Sequence, residues 1–236
     1  MLCANNESPQ KALPSMKILQ KSVNSRVARG LLVCLLVNSS VFADQSSVST
    51  DNRPQQCSVD CKTTYGSLLG KSPAGVPAYS NCNSNCVIFE PNHQQDIYTG
   101  IKWQCVEYAR RWLLKERGVV FGDVDIAADI WELQQVNNPL SNKSLKFDSI
   151  VNGAATIPQR GDLLIYGKDY LGTGHVAVVV AIDELQHSIL VAEQNYANTK
   201  WQAEYAREIA YIENGDLVWL LDSYLVGWKR VMPTKD

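Results

Sequence analysis

Histidine is scarce in this sequence, which has three among 236 residues. They are His93, His175 and His187, so a reaction that needs an imidazole base has three candidates. The sequence also lacks internal repeats, low-complexity segments and coiled-coil or collagen-like periodicity. These absences exclude repeat, fibrous and disordered classes, and they indicate a globular protein of roughly one or two domains.

Apolar runs long enough to cross a membrane are absent too, since a spanning helix needs ~20 residues. A short apolar run, Leu31–Val37, follows a basic segment and precedes the compact residues of Val41–Ala43. This order is typical of a secretory signal peptide, so we expect residues 1–43 to be removed. The alternatives are a membrane anchor, for which the run is too short, and lipidation at Cys34. The mature protein is then expected in the periplasm or outside the cell, without stable membrane insertion.

An excess of basic residues is lacking as well. The chain has 22 Lys and Arg against 24 Asp and Glu, and removal of residues 1–43 would leave 17 against 23. Nucleic-acid binding requires a basic surface that neutralises phosphates, so we exclude nucleic acid as the main partner. The acidic balance is compatible with a cationic substrate, although a charge of this size more often serves only solubility.

Seven cysteines are present, and five of them follow residue 43. Cys57, Cys61, Cys82 and Cys86 form two Cys-x-x-x-Cys motifs in a segment rich in Asn, Ser and Gln. In an oxidising compartment we expect two disulfides among these four, with a connectivity that the sequence leaves open. The alternative is a four-cysteine zinc site. Cys105 is the odd cysteine, which is a first indication of a reactive thiol.

The spacing of apolar residues predicts helices first and strands afterwards. Residues 105–117 form an amphipathic helix closed by Gly118, and a second helix is predicted near residues 125–136. Helices followed by antiparallel strands indicate the α+β class. The predicted strands are LLIYG, HVAVVVAI, SILVAEQN, LVWLLD and YLVGWKRV.

The other segments are predicted to be irregular. Residues 44–64 are polar, so we expect a flexible mature N-terminus. Residues 65–100 are rich in Gly, Pro, Ser and Asn, so we expect loops held by disulfides, and residues 138–160 resemble a linker. A single domain is expected over residues 65–236.

Cys105 lies in the first turn of the predicted helix. A helix N-terminus carries partial positive charge and unpaired backbone N–H groups, which lower a thiol's pKa and can hold a developing oxyanion. The position therefore suits a cysteine nucleophile. On position alone, a buried structural cysteine is equally compatible.

A nucleophilic thiol needs a base, and the base needs an orienting group. His187 lies between two predicted strands and is expected in an exposed turn, while His93 lies in a polar loop. His175 follows Leu-Gly-Thr-Gly and opens a predicted strand, so it is the preferred base. The alternative for His175 is a structural histidine at the end of a strand.

Two polar residues are predicted to lie beside this base. Residues 175–182 and 188–195 form a predicted hairpin, which turns near Leu185 and places residue 175 opposite 195 and 177 opposite 193. Glu193 and Asn195 then point to the same side as His175. The alternative is that both side chains lie on a solvated face.

Four segments, in order, resemble the CHAP amidase family: KWQC at a helix start, PQRGDLLIY, GTGHVAVVV and VAEQN. The segments YGSLLGKSPAGVPAYSN and KWQCVEYARRWLL are also similar to the amidase domain of bifunctional glutathionylspermidine synthetase/amidase. The resemblance covers residues 65–229. It implies a papain-like α+β fold, with N-terminal helices packed on an antiparallel sheet.

The resemblance also implies roles for individual residues. Cys105 would be the nucleophile, His175 the general base and Glu193 its orienting group. Asn195 matches a fourth residue of many such sites, and Gln104 would contribute to the oxyanion hole. No metal or organic cofactor is implied.

The implied reaction is hydrolysis of an amide through an acyl-enzyme on the cysteine. Because export is expected, peptidoglycan peptide amides are the first expected substrate, and glutathionylspermidine or a related polyamine conjugate is the second. A third interpretation is a catalytically silent binding module that uses a papain-like cleft. The complete set of Cys105, His175 and Glu193 argues against it, because a binding module does not need a thiol–imidazole pair.

Overall fold

The computed structural model describes residues 53–233, so the predicted signal peptide lies outside the described residues. This part of the chain contains no helix that is long and apolar enough to span a membrane. It has one α-helix, two 3-10 helices (Gln55–Cys57 and Ala127–Glu132) and strands arranged in three sheets. The elements are β1 (Leu68–Lys71), β2 (Pro77–Tyr79), β3 (Pro91–Gln94), β4 (Ile97–Ile101), α1 (Cys105–Arg117), β5 (Val120–Phe121), β6 (Gln135–Asn137), β7 (Ser144–Val151), β8 (Leu163–Tyr166), β9 (His175–Asp183), β10 (Ser188–Ala192), β11 (Arg207–Asn214), β12 (Leu217–Leu220) and β13 (Leu225–Val231).

The helix α1 has the bounds that its apolar spacing predicts. Val106, Ala109 and Leu113 form a fully buried stripe, which Trp112 widens. Gly118 ends the helix with a φ of 65°, and its N–H donates to the carbonyl of Leu114 at 3.0 Å. A left-handed residue at this position costs glycine little, because glycine has no Cβ. The predicted helix is confirmed.

Nine strands form one antiparallel sheet in the order β12–β11–β10–β9–β8–β13–β7–β6–β5. The helix α1 packs against β9 near the middle of this sheet. β9 is buried on both faces: Val176 and Val178 join the cluster that contains α1, while Ala177 and Val179 join a cluster with β10, β11 and β12. One substantial helix against a mostly antiparallel sheet confirms the α+β class.

The five predicted strands are present, as β8, β9, β10, β12 and β13. β11 was not predicted, although Ile209 and Tyr211 are buried and alternate with more exposed residues along it. An alternation of period two is the signal of a half-buried strand, so the sequence did carry the information.

The predicted second helix near residues 125–136 is wrong. Only Ala127–Glu132 is helical, in the 3-10 form, and the chain then extends into β6 (Gln135–Asn137). Ile130 is buried, as its spacing predicts. The segment stops being helical because β6 pairs with β5 on one side and with β7 on the other, which satisfies its backbone as a strand.

The segments predicted to be irregular contain further strands. Residues 138–160 include β7, in which Phe147 is the one fully buried side chain, so the segment lacks an apolar signal. Residues 65–100 include two small hairpins, β1–β2 and β3–β4, rather than loops alone. Residues 53–64, in the segment predicted to be flexible, carry a 3-10 turn and two of the bridged cysteines.

Two disulfides join these N-terminal segments, Cys57–Cys86 and Cys61–Cys82. The predicted disulfides are confirmed, and the structure supplies their nested connectivity. The zinc alternative is excluded for these four residues, because each sulfur is bonded to another sulfur. The bridges tie the chain ahead of β1 to the segment that precedes β3.

Lys229 of β13 is a buried lysine whose ammonium group forms hydrogen bonds with neighbouring segments of the sheet. Its Nζ donates to the carbonyl oxygens of Leu133 at 2.6 Å and Phe147 at 2.9 Å, and to Ser149 Oγ at 2.7 Å. Burial lowers the pKa of Lys229 to about 8, which leaves the group mostly charged at pH 7. The three donors of the ammonium group therefore satisfy three acceptors between β13, β7 and the chain before β6.

We expect Lys229→Met to lower the free energy of unfolding by ~2–4 kcal/mol, because buried acceptors lose their donor. Urea unfolding monitored by tryptophan fluorescence measures this change. Lys146→Met on β7 is the matched control, since the Lys146 side chain is 72% exposed and should change stability by no more than ~0.5 kcal/mol. Equal effects from the two substitutions would contradict the structural role of Lys229.

Candidate active site

The start of α1 is joined to the loop that follows β10. Gln104 directly precedes Cys105, and its carbonyl oxygen accepts a hydrogen bond from Gln194 Nε2 at 3.3 Å. The side-chain oxygen of Gln104 accepts from Asn195 Nδ2 at 2.9 Å. Because Gln194 and Asn195 directly follow Glu193, these bonds fix the candidate nucleophile's helix relative to the candidate orienting carboxylate.

Gln194 extends this connection along the helix. Its Oε1 accepts from Arg111 Nη2 at 3.0 Å and from the backbone N–H of Tyr79 at 2.8 Å, and its Nε2 donates to Glu107 Oε2 at 3.0 Å. Glu107 and Arg111 form a buried ion pair at 2.6 Å. Gln194 lies in the segment VAEQN, but no feature of the sequence alone indicates its role.

His175 and Glu193 are in direct contact. The ring Nε2 lies 2.8 Å from Glu193 Oε2, and both side chains are almost fully buried. His175 is the first residue of β9, and Gly174 before it has a φ of 69°. A Cβ on Gly174 would collide with the carbonyl oxygen of Tyr166, so glycine allows the start of β9 to lie close to β8.

The contact with Glu193 fixes which ring nitrogen of His175 acts as a base. An ionised carboxylate only accepts hydrogen bonds, so Nε2 must carry a proton, and in the neutral ring Nδ1 then has the lone pair. Nδ1 is buried and has no hydrogen-bond partner among the described residues. It is therefore the nitrogen available for proton exchange with a thiol or a leaving amine.

Glu193 remains ionised although it is buried. Burial raises the pKa of its carboxyl, but the positive charge of Arg207 and the hydrogen bond from His175 outweigh this, and the net pKa lies below its ordinary 4.5. Because folding lowers this pKa, the carboxylate stabilises the fold above pH ~4.5, and that stabilisation is lost as the pH falls further. No motif in the sequence points to Arg207.

Aromatic rings surround the base. The ring centroids of Tyr196, Tyr166 and Tyr170 lie 5.1, 5.5 and 6.1 Å from that of His175. Tyr170 is also stacked on Tyr196 at 6.2 Å. These rings exclude water from one side of the imidazole, which strengthens the electrostatic interactions within the site. No motif in the sequence pointed to these tyrosines.

Cys105 is the first residue of α1 and is fully buried. The other four cysteines of residues 53–233 pair with one another. The role of Cys105 as nucleophile stays a prediction, and it requires a reduced thiol.

The predicted register of the hairpin is right at one end and wrong at the other. Val178 pairs with Ala192, which fits the prediction, and the chain turns near the exposed Leu185. β10 ends at Ala192, however, so the predicted ladder pairs of residue 175 with 195 and 177 with 193 do not form. His175 pairs instead with Tyr166 of β8, and its side chain reaches Glu193 from the strand end.

The remaining candidates are placed as follows. Gln104 is fully buried, and its Nε2 donates to Asn81 Oδ1 at 3.3 Å and to the carbonyl of Cys86 at 3.4 Å. Asn195 is buried with a φ of 52° and contacts Gln104. The oxyanion role of Gln104 and the fourth-residue role of Asn195 stay predictions. His187 is exposed, as expected. His93, which was predicted in a polar loop, lies in β3 and is also exposed.

A cavity of about 590 Å³ lies against α1. Its lining includes Tyr79, Trp103, Arg111 and Lys115, and contains no Asp or Glu. Trp103 lies two residues before Cys105, but Cys105, His175 and Glu193 are not part of the lining. A cavity of this size accommodates a small molecule or a short peptide. Within residues 53–233, no group of three or more His, Cys, Asp or Glu residues is placed to hold a metal ion.

Comparison with known proteins gives a consistent result. The chain is 32% identical over 180 residues to the bifunctional glutathionylspermidine synthetase/amidase of Escherichia coli (strain K12), covering 70% of this chain and 29% of that protein. It is 31% identical over 161 residues to trypanothione synthetase of Crithidia fasciculata, covering 68% of this chain and 24% of that protein. Thus the chain spans less than a third of the length of these curated relatives.

The family model for the CHAP domain matches residues 96–195. These residues begin just before β4 and end at Asn195, so they include Cys105, His175 and Glu193. The resemblance inferred from the sequence is thereby confirmed, including the similarity to the amidase region of glutathionylspermidine synthetase/amidase. Residues 96–195 are a CHAP domain, which is a domain of cysteine amidohydrolases.

Proposed function

We propose that this protein is an exported amidase that hydrolyses the amide bond between a short peptide and a polyamine, as in glutathionylspermidine. The observation that carries this proposal is the match to glutathionylspermidine synthetase/amidase over 70% of the chain. The sequence alone favoured peptidoglycan as the substrate. The names of the relatives support the polyamine conjugate as the first candidate.

The reaction begins with the reduced form of Cys105. Its thiolate attacks the amide carbon, a C–S bond forms, and the oxyanion develops near the positive end of α1. The imidazolium of His175 gives its Nδ1 proton to the leaving amine as the C–N bond breaks. Water then attacks the thioester and gives a proton to Nδ1, and cleavage of the C–S bond releases the peptide acid and restores the thiolate.

The charges of the chain suit both halves of such a substrate. The absence of carboxylates from the cavity beside α1, together with the exposed Lys115, favours a peptide half that carries free carboxylates. The acidic balance that remains after residue 43 favours a cationic polyamine as the leaving half. Export is supported by the predicted signal peptide and by the two disulfides.

Peptidoglycan peptide amides are the second candidate substrate. The nested disulfides favour this candidate, because a protein with disulfides functions outside the reducing cytosol. Peptidoglycan also lies outside the cytosol. The two candidates share the cysteine chemistry and differ in the amine that leaves.

A direct assay separates the two substrates. The chain from Asp44 onward, treated with a mild thiol reductant, is incubated with glutathionylspermidine and separately with cell-wall sacculi, and products are identified by mass spectrometry. We expect release of spermidine that is absent for Cys105→Ala. Release of new amino groups from sacculi alone would replace the first candidate by the second, and cleavage of neither substrate would overturn both.

A further inference from the structure

We propose that Arg207 is a positioning residue of the amidase reaction, which fixes the Glu193 carboxylate against His175. This inference rests on the cysteine amidase chemistry of the proposed function, but not on the identity of the substrate. Arg207 is the first residue of β11, opposite Val191 of β10, and lies 14 positions after Glu193 in the chain. It lies outside residues 96–195, so it is not part of the matched family segment.

Glu193 is held by two donors on different strands. His175 Nε2 lies 2.8 Å from Oε2, while Arg207 Nε donates to Oε1 at 2.7 Å. Arg207 Nη2 also lies 3.5 Å from Oε2, so both carboxylate oxygens are held, and rotation of the carboxyl group would break at least one of these bonds. Arg207 therefore fixes the Glu193 carboxylate, and the carboxylate in turn orients the His175 imidazole.

Arg207 is itself fixed on its other nitrogens. Its Nη1 donates to Asp222 Oδ2 at 2.6 Å, and its Nη2 donates to the hydroxyl oxygen of Tyr166 at 2.7 Å. The hydroxyl of Tyr166 donates in turn to the same Asp222 oxygen at 2.7 Å. The guanidinium carbon also lies 4.2 Å from the ring centroid of Tyr196, which is a stacking distance.

This geometry requires arginine rather than lysine. A planar guanidinium donates from three nitrogens in fixed directions, whereas an ammonium is a single point charge on a flexible stem. Each of the three guanidinium nitrogens of Arg207 donates to a different residue: Glu193, Asp222 or Tyr166. A lysine would keep the charge and lose at least one of the three contacts.

Arg207 balances the negative charges of two carboxylates near His175. Two carboxylates, Glu193 and Asp222, lie on either side of its guanidinium, which is only 20% exposed. Without Arg207, burial would act on Glu193 with His175 as the only cation in contact, and the carboxyl would protonate at a higher pH. The other ionisable groups that face Glu193 are the phenols of Tyr108 on α1, Tyr166 on β8 and Tyr170.

The test compares Arg207→Met and Arg207→Lys with the wild-type full chain, in which Cys105 has been reduced. Two quantities are measured against pH: the rate of Cys105 alkylation by iodoacetamide, and kcat/KM for the amide substrate. We expect the acid limb of both profiles to move up by ~1–2 pH units in Arg207→Met, with KM changed less than ~3-fold. In Arg207→Lys the acid limb should lie close to its wild-type pH, but kcat should stay below the wild-type value.

The matched control is Arg230→Met on β13. Arg230 pairs with Asp162 at 2.6 Å and is 16% exposed, so its substitution removes a similarly buried arginine–carboxylate pair outside the site. We expect it to lower stability and leave the acid limb unchanged. An Arg207→Met limb that stays in place or moves to lower pH would overturn the proposal.

The alkylation profile keeps this test independent of the substrate. If the wild type hydrolyses no amide, the proposed function fails. The acid limb of the Cys105 alkylation profile still reports on the alignment of His175. If Arg207→Met does not fold, as judged by circular dichroism, Arg207→Lys alone decides. A Lys variant with wild-type kcat and wild-type limbs would show that the fork geometry is not required.

Discussion

Cys105→Ala is expected to lower the rate of amide hydrolysis by at least ~1000-fold, because the nucleophile of the acyl-enzyme step is removed. The residual rate comes from substrate binding and from the polar start of α1, which the substitution leaves in place. The measurement is single-turnover release of the amine by the reduced chain. Mass spectrometry of a quenched wild-type reaction should also show the acyl group on the peptide that contains residue 105.

Cys105→Ser is the companion variant, since it keeps the size of the side chain and replaces the thiol by a weaker nucleophile at neutral pH. It should be nearly as inactive as Cys105→Ala and should bind substrate as the wild type does. Both variants should retain the wild-type melting temperature within a few degrees, because either side chain fits the buried position. An alanine variant that retained more than a tenth of the wild-type rate would contradict the nucleophilic role.

His175→Asn is expected to reduce kcat by ~1000-fold or more and to change the thiol itself. The proposed acceptor of the thiol proton is the buried Nδ1 of His175, and asparagine cannot replace it as a base. The thiol pKa of Cys105 should then rise towards the ordinary value of ~8.5. The measurement is the pH dependence of alkylation, whose wild-type acid limb should lie well below that value.

His187→Asn is the matched control for this variant. His187 lies in the exposed turn between β9 and β10, so it offers the same substitution on the same hairpin but away from Glu193. It should leave both kcat and the alkylation profile unchanged. If His175→Asn gave the alkylation profile of the wild type, Cys105 and His175 would not act as a pair.

The sequence predicted the elements whose residues carry a periodic apolar signal. The stripe of α1 and the continuous apolar run of β9 are examples, because both are buried against several neighbours. β7 was missed because it buries Phe147 fully and leaves its other side chains more exposed. The sequence predicts an α-helix where the 3-10 segment forms, because the spacing of Ile126 and Ile130 fits both helix types over so short a stretch.

The candidate site was predictable only where chemistry restricts the choice of residue. Few cysteines and histidines were available, so Cys105 and His175 could be selected, and Glu193 followed from an approximate hairpin register. Arg207 and Asp222 could not be selected, because the chain contains many charged residues, and only the tertiary fold brings these two to the back of Glu193. The role of Gln194 was hidden for the same reason, since its partners come from three separate segments.

The carbonyl of Cys86 accepts hydrogen bonds from Asn81 Nδ2 at 2.7 Å and from Gln104 Nε2 at 3.4 Å, so a bridged cysteine supports the residue before Cys105. The same molecule therefore has two opposite redox requirements. Its Cys57–Cys86 bridge has to stay oxidised to hold this support, while Cys105 has to be reduced to react.

Activity should consequently pass through a maximum as the thiol–disulfide balance of the surroundings is varied. Strongly reducing conditions would open the bridge, and strongly oxidising conditions would oxidise the Cys105 thiol. An enzyme with this property is confined to a window of ambient redox conditions. The glutathione that its proposed substrate contains is a thiol of the kind that sets such a window.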